Sequence, residues 1–120
     1  MFIAPTILAA VLSASPAATS PQSEYAAAYQ AAIRSGRPLV VLIGASWCGP
    51  CQQVKPLYPA LRQRGAFVHL DMDRDLEAKD MDVAKLPTLI VFERRDGRFW
   101  PAKRFVGVDS ITQFCKGVKQ

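Results

Sequence analysis

An unbroken apolar run, Leu39-Val40-Val41-Leu42-Ile43-Gly44, leads through Ala45 and Ser46 into Trp47-Cys48-Gly49-Pro50-Cys51. No polar position interrupts the run, so it reads as a central strand covered on both faces. Two cysteines with two residues between them can close a small disulfide ring if the segment turns into a helix. A strand that feeds a C-x-x-C at a helix start is the setting in which such a pair works as a redox couple.

The helix end supplies the chemistry. Cys48 is expected in the first turn, where backbone N–H groups lack intrahelical partners. Those donors and the positive end of the helix dipole favour a thiolate over a thiol. Cys51 falls one turn deeper and should be better shielded. The pattern therefore assigns attack to Cys48 and resolution to Cys51, through a mixed disulfide. Pro50 is tolerated in a first turn, where its missing N–H costs nothing. Zinc binding is the rival reading of the pair. It lacks the second C-x-x-C or histidine pair that a four-ligand site needs.

At 120 residues the chain is long enough for one domain. Its net charge is +5, with all charged side chains after residue 23. No basic patch interleaved with aromatic residues points to nucleic acid. Three cysteines make one pair and one spare, which argues against a disulfide framework. The spare, Cys115, falls on an apolar helix face and reads as a small buried hydrophobe.

Residues 1–22 differ in kind from the rest. Phe2 to Leu12 is apolar, and Ser13 to Pro21 is rich in Ala, Ser, Thr and Pro. The run is short for a membrane span. It resembles the apolar region of a signal peptide, with Ala14, Ala17 or Ala18 near plausible cleavage points. Only Met1 precedes it, with no Lys or Arg, so a disordered extension is the alternative. The first reading predicts an exported, periplasmic or secreted protein without a membrane span after processing. The second predicts a cytoplasmic one.

The remainder, residues 23–120, alternates between helix and strand patterns. Glu24 to Ser35 reads as a helix stopped by Gly36. Gly49 to Arg64 reads as a second helix, kinked at Pro56 and Pro59. Ala66 to Met72 is a strand, and Asp73 to Ala84 a loop with room for one helical turn. Thr88 to Glu93 and Phe99 to Val106 form a hairpin around Asp96-Gly97, with Pro101 marking an edge. Asp109 is placed to cap a last helix whose Ile111, Phe114, Cys115 and Val118 share a face. The expected fold is α/β, a four-stranded mixed sheet with helices on both faces. Asp71, Asp73, Asp75 and Asp82 have part of the spacing of a calcium loop, but Leu76 stands where such a loop needs glycine. Arg94, Arg95, Arg98, Lys103 and Arg104 read as charge that protects a sheet edge.

The motif Trp47-Cys48-Gly49-Pro50-Cys51 resembles the active site of the thioredoxin family. Lys85-Leu86-Pro87-Thr88 resembles that family's cis-proline segment, and Pro56 and Gly107 also match. The resemblance covers roughly residues 36 to 118 and implies the thioredoxin-like fold, here without the N-terminal strand. It implies thiol–disulfide exchange, most readily reduction, through a reversible Cys48–Cys51 disulfide and with no metal or organic cofactor. Trp47, Gly49, Pro50, Leu86 and a cis Pro87 would frame an extended substrate chain. The implied partners are disulfide-containing proteins and an upstream thiol donor, met by a monomer. A non-catalytic module of the same fold, docking a partner or holding a metal, is the alternative. The chain departs from the family at three places. Leu42 stands where a buried carboxylate is usual, His69 where a buried lysine is usual, and Gln52 where lysine is frequent. His69 is therefore the candidate proton acceptor, provided its strand face lies beneath the cysteines.

Overall fold

The structure is a computed structural model that describes residues 23–117. Residues 1–22 and Val118, subjects of two of the expectations above, lie outside the described residues. Four strands form one sheet in the order β2-β1-β3-β4. They are β1 (Leu39–Gly44), β2 (Ala66–Asp71), β3 (Thr88–Arg95) and β4 (Arg98–Val106). β1 and β2 are parallel, while β1–β3 and β3–β4 are antiparallel. Among the described residues the first element is a helix, α1 (Glu24–Ser35), and no strand precedes it.

All six residues of β1 are buried, as its lack of alternation requires. Leu39, Val41 and Ile43 meet Ala28 and Ala32 of α1 on one face. Val40 and Leu42 meet the other layer, α3 (Tyr58–Arg64) and α5 (Val108–Cys115), through Leu61, Ile111 and Phe114. Period-2 alternation thus sorts one apolar run between two half-cores. Side chains of this size contribute about 1.5–3 kcal/mol each when fully buried. α1 is capped at both ends: the Ser23 hydroxyl accepts the Ala26 N–H, and Gly36 adopts the left-handed conformation at φ 72°.

The expected second helix is not continuous. It divides into α2 (Gly49–Gln52), a 3-10 turn (Lys55–Leu57) and α3. Pro56 and Pro59 cannot donate to the carbonyls a turn earlier, and each sits in the first turn of the piece that follows it. The prolines restart the helix instead of kinking it. The last helix also differs. Its N-cap is Gly107, and Asp109 lies inside the first turn, where a carboxylate complements the dipole without acting as the cap. One short helix, α4 (Leu76–Lys79), occupies the expected loop.

Asp96 and Gly97 both have positive φ, 52° and 80°, which makes a two-residue turn whose twist suits the strands. β4 lies at the sheet edge. Its pairing slips where Val91 faces Lys103 and Phe92 faces Pro101, so Ala102 is bulged beside the proline. Arginines tie the layers together. Arg37 donates to the carbonyls of Arg62 and Gln63 at the end of α3, and Arg64 donates to that of Phe114 at the end of α5.

Candidate active site

Cys48 and Cys51 form a disulfide at the start of α2, with their Cα atoms 5.3 Å apart. Cys48 is the N-cap, in extended conformation, and its Sγ accepts the Cys51 N–H at 3.2 Å. That donor favours negative charge on Cys48. α2 is only one turn long, so this local N–H, not a long aligned dipole, carries the electrostatic argument for Cys48.

The expectation that Cys51 is better shielded is not met. Cys48 is 5% and Cys51 6% exposed. Both are shielded because Ala45 and Leu86 pack against the ring they form. The two sulfurs are distinguished by what lies beside each. Cys48 borders an apolar cleft of roughly 460 Å³, lined by Trp47, Gly49, Pro50, Met72, Val83 and Leu86 among others. Cys51 borders a separate cleft of roughly 370 Å³, to which Lys55, Tyr58, His69 and Asp71 contribute polar side chains.

Trp47 is 69% exposed, so it is a surface group and not part of the core. Its indole N–H donates to Asp73 Oδ2 at 2.6 Å, which holds the ring at the rim of the Cys48 cleft. The Leu86–Pro87 peptide bond is cis, Pro87 is buried and Leu86 is half-buried. The turn before it is held by the buried Thr88 hydroxyl, which donates to the Lys85 carbonyl at 2.6 Å. The Pro87 carbonyl accepts the Gly107 N–H. Arg104 donates to the carbonyls of Met81 and Asp82, anchoring the segment that leads into this turn.

His69 lies on the strand face beneath α2 and α3, the face on which Phe67 and Asp71 also stand. Its ring packs 5.8 Å from that of Tyr58. Burial pushes its pKa below the ordinary imidazole value, while the Asp71 carboxylate opposes the shift. It is Gly44 that lets His69 approach the cysteines. A Cβ built on Gly44 would stand 3.1 Å from Cys51 Sγ and 3.3 Å from His69 Nε2.

The Asp71–Asp75 segment closes on itself. Asp71 Oδ1 accepts the N–H groups of Asp73 and Arg74, and Asp75 Oδ2 accepts that of Asp71 and pairs with Arg74. Among the described residues no three His, Cys, Asp or Glu side chains gather as a metal site. Two residues of the site escape a reading of the sequence, Gly44 and Asp73. A glycine at the end of an apolar strand does signal close approach of a neighbour. The pairing of Asp73 with Trp47 depends on a loop conformation and has no local signature.

The fold and the paired cysteines define the architecture on which thiol–disulfide oxidoreductases are built. The chain belongs to the thioredoxin family: the family model described as thioredoxin matches residues 20–120. The thioredoxin of Mycobacterium bovis is 38% identical over 80 residues, which cover 62% of this chain and 66% of that relative. Thioredoxin-2 of Saccharomyces cerevisiae is 35% identical over 77 residues, covering 60% of this chain and 74% of the relative. The solution structure of a Thermus thermophilus thioredoxin shares the fold with a TM-score of 0.63 at 21% identity, over 78% of this chain and 80% of the other. The Trichomonas vaginalis thioredoxin structure shares it with a TM-score of 0.60 at 23% identity, over 82% and 93% of the two chains.

Proposed function

We propose that this chain reduces disulfides in protein substrates by cycling between the Cys48–Cys51 dithiol and its disulfide. One observation carries the reading: the disulfide-bonded pair sits at the head of a one-turn helix, with Cys48 against an apolar cleft large enough for a substrate side chain. The Cys48 thiolate attacks one sulfur of the substrate disulfide, forming a mixed disulfide and releasing the first substrate thiolate. Cys51 then attacks Cys48 Sγ, and the second substrate thiolate leaves. The substrate gains two electrons and two protons, and the enzyme pair loses them. An upstream thiol donor restores the dithiol by the reverse sequence.

Trp47, Gly49, Pro50, Leu86 and Pro87 form the surface that receives the substrate chain. Their support is position: Trp47, Gly49, Pro50 and Leu86 line the cleft beside Cys48, and Pro87 follows Leu86 in the cis turn. The main-chain groups of Leu86 suit pairing with an extended peptide. The apolar run from Phe2 to Leu12, followed by small residues, supports action outside the cytoplasm. No helix among the described residues is long and apolar enough to cross a membrane.

Reduction of insulin disulfides with dithiothreitol as donor tests the reading. Turbidity from the released insulin chain should appear well ahead of the donor-only control, and Cys48→Ser should abolish the gain. A wild-type rate equal to the control would mark the chain as a binding module that keeps the fold without the chemistry.

A further inference from the structure

We propose that His69 is the proton acceptor for Cys51, reaching its sulfur through the opening that Gly44 leaves between β1 and α2. The proposal rests on the exchange reaction above and concerns its second step. Cys51 must lose its proton to attack Cys48 Sγ, yet it is 6% exposed, so bulk water has little access. The cleft that Cys51 borders holds the groups to which that proton can go.

The groups lining that cleft differ in what they can accept. Lys55 carries an ammonium, which has donors only. The Tyr58 phenol has its pKa raised by burial, against a smaller lowering by Arg62, so it stays protonated at neutral pH. Asp71 Oδ1 is engaged by the N–H groups of Asp73 and Arg74 in its own turn, which leaves Oδ2 as the competing acceptor in the cleft. His69 Nε2 is set apart by position, since it converges with Cys51 Sγ on the space that a Gly44 side chain would fill. Desolvation holds the imidazole below its ordinary pKa, so it is neutral and has a free acceptor nitrogen at pH 7. The charges that face it have mixed sign: Asp71, Asp75 and Glu24 favour the imidazolium, and Arg74 opposes it.

The Cys51 S–H proton moves to His69 Nε2, directly or through one water. The Cys51 electron pair forms the bond to Cys48 Sγ. The bond from Cys48 Sγ to the substrate sulfur breaks, and the substrate leaves as a thiolate. The imidazolium then returns its proton to solvent through the Cys51 cleft. A residue that only packed against Tyr58 would have no part in this sequence.

The two steps separate in a stopped-flow reaction of the reduced protein with an aromatic disulfide whose thiol product absorbs visibly. The first thiol reports attack by Cys48 and the second reports resolution by Cys51. With His69→Gln, the second phase should slow by about tenfold or more at pH 7. It should also lose the wild-type inflection below the ordinary imidazole range, while the first phase is unchanged. Gly44→Ala puts a methyl group into the opening and should slow the second phase while the histidine still titrates. A wild-type second phase in either variant overturns the proposal, as does a retained inflection in His69→Gln. Transfer of the defect to Asp71→Asn, with His69→Gln normal, also overturns it. Absence of the first phase in the wild-type protein would instead reject the exchange reading itself.

Discussion

Leu42 and His69 are Cα partners in the parallel β1–β2 ladder, so their side chains stand next to each other beneath α2 and α3. Leu42 is 1% exposed and His69 is half-buried. An apolar side chain therefore walls the imidazole on one side, and desolvation is the larger influence on its pKa.

Leu42→Asp should bury a carboxyl group beside His69. Burial raises a carboxyl pKa, so the charged form is disfavoured in the folded state. The unfolded group titrates near about 3.9. The destabilisation should therefore grow as pH rises above that value, reaching on the order of 2 kcal/mol at pH 7. Urea unfolding of the variant and wild type at pH 4 and pH 7 checks the sign. A larger loss at pH 4 than at pH 7 would contradict it.

His69 is the only histidine in the chain, so its titration can be followed without ambiguity. Its folded pKa is depressed below the unfolded value of about 6.5. The unfolded state then binds more protons just below that pH, and stability falls as pH drops from about 6.5 through the folded pKa. Above about 6.5 this contribution is fully present. An NMR titration should place the ring below the ordinary value, and His69→Gln should flatten the corresponding slope in urea midpoints. A ring titrating above the ordinary value would contradict both expectations.

The 2.6 Å bond from Trp47 to Asp73 predicts a binding effect. Asp73→Ala frees an indole that is already mostly exposed, so stability should change by no more than about 1 kcal/mol. The ring would no longer be held at the cleft rim, and KM for a protein disulfide should rise severalfold with kcat little changed. A fall in kcat at constant KM would place Asp73 in the chemical step instead.

Much of this arrangement was legible in the sequence, and what was not has a physical cause. The buried strand at Leu39–Gly44, the Asp96-Gly97 hairpin and the edge position of Pro101 each have a local signature, in apolar continuity, turn chemistry and a missing N–H. A kink at Pro56 and Pro59 is the natural expectation, because two prolines three residues apart can bend a helix or restart it; the chain instead breaks at Gln53 and Val54. Which occurs depends on packing, here of Val54 and Leu61 against the sheet. The equal burial of Cys48 and Cys51 depends on Leu86, brought over them from a distant segment. The two clefts that separate the sulfurs are likewise products of tertiary structure. His69 was legible only as an odd residue at its position; its approach to Cys51 needs Gly44, and that is a matter of space across the ladder.

Alkylation should separate the cysteines of the reduced protein. Cys48 is the N-cap and accepts a backbone N–H, which favours its thiolate. The Cys115 thiol has its pKa raised by burial, with Arg64 opposing. Brief iodoacetamide treatment at pH 7 followed by peptide mapping should label Cys48 first. Predominant labelling of Cys115 or Cys51 would contradict the assignment.

The division of labour between the two active cysteines is the central claim, and trapping tests it most directly. Cys51→Ser removes the resolving thiol, so a disulfide-containing protein substrate should remain attached through Cys48 as an adduct that dithiothreitol releases. Cys48→Ser should form little adduct under the same conditions. Non-reducing electrophoresis and mass mapping of the linked peptides read the result. Strong adducts through Cys48 in Cys51→Ser alone are predicted, and equal or stronger adducts through Cys51 in Cys48→Ser would contradict the account.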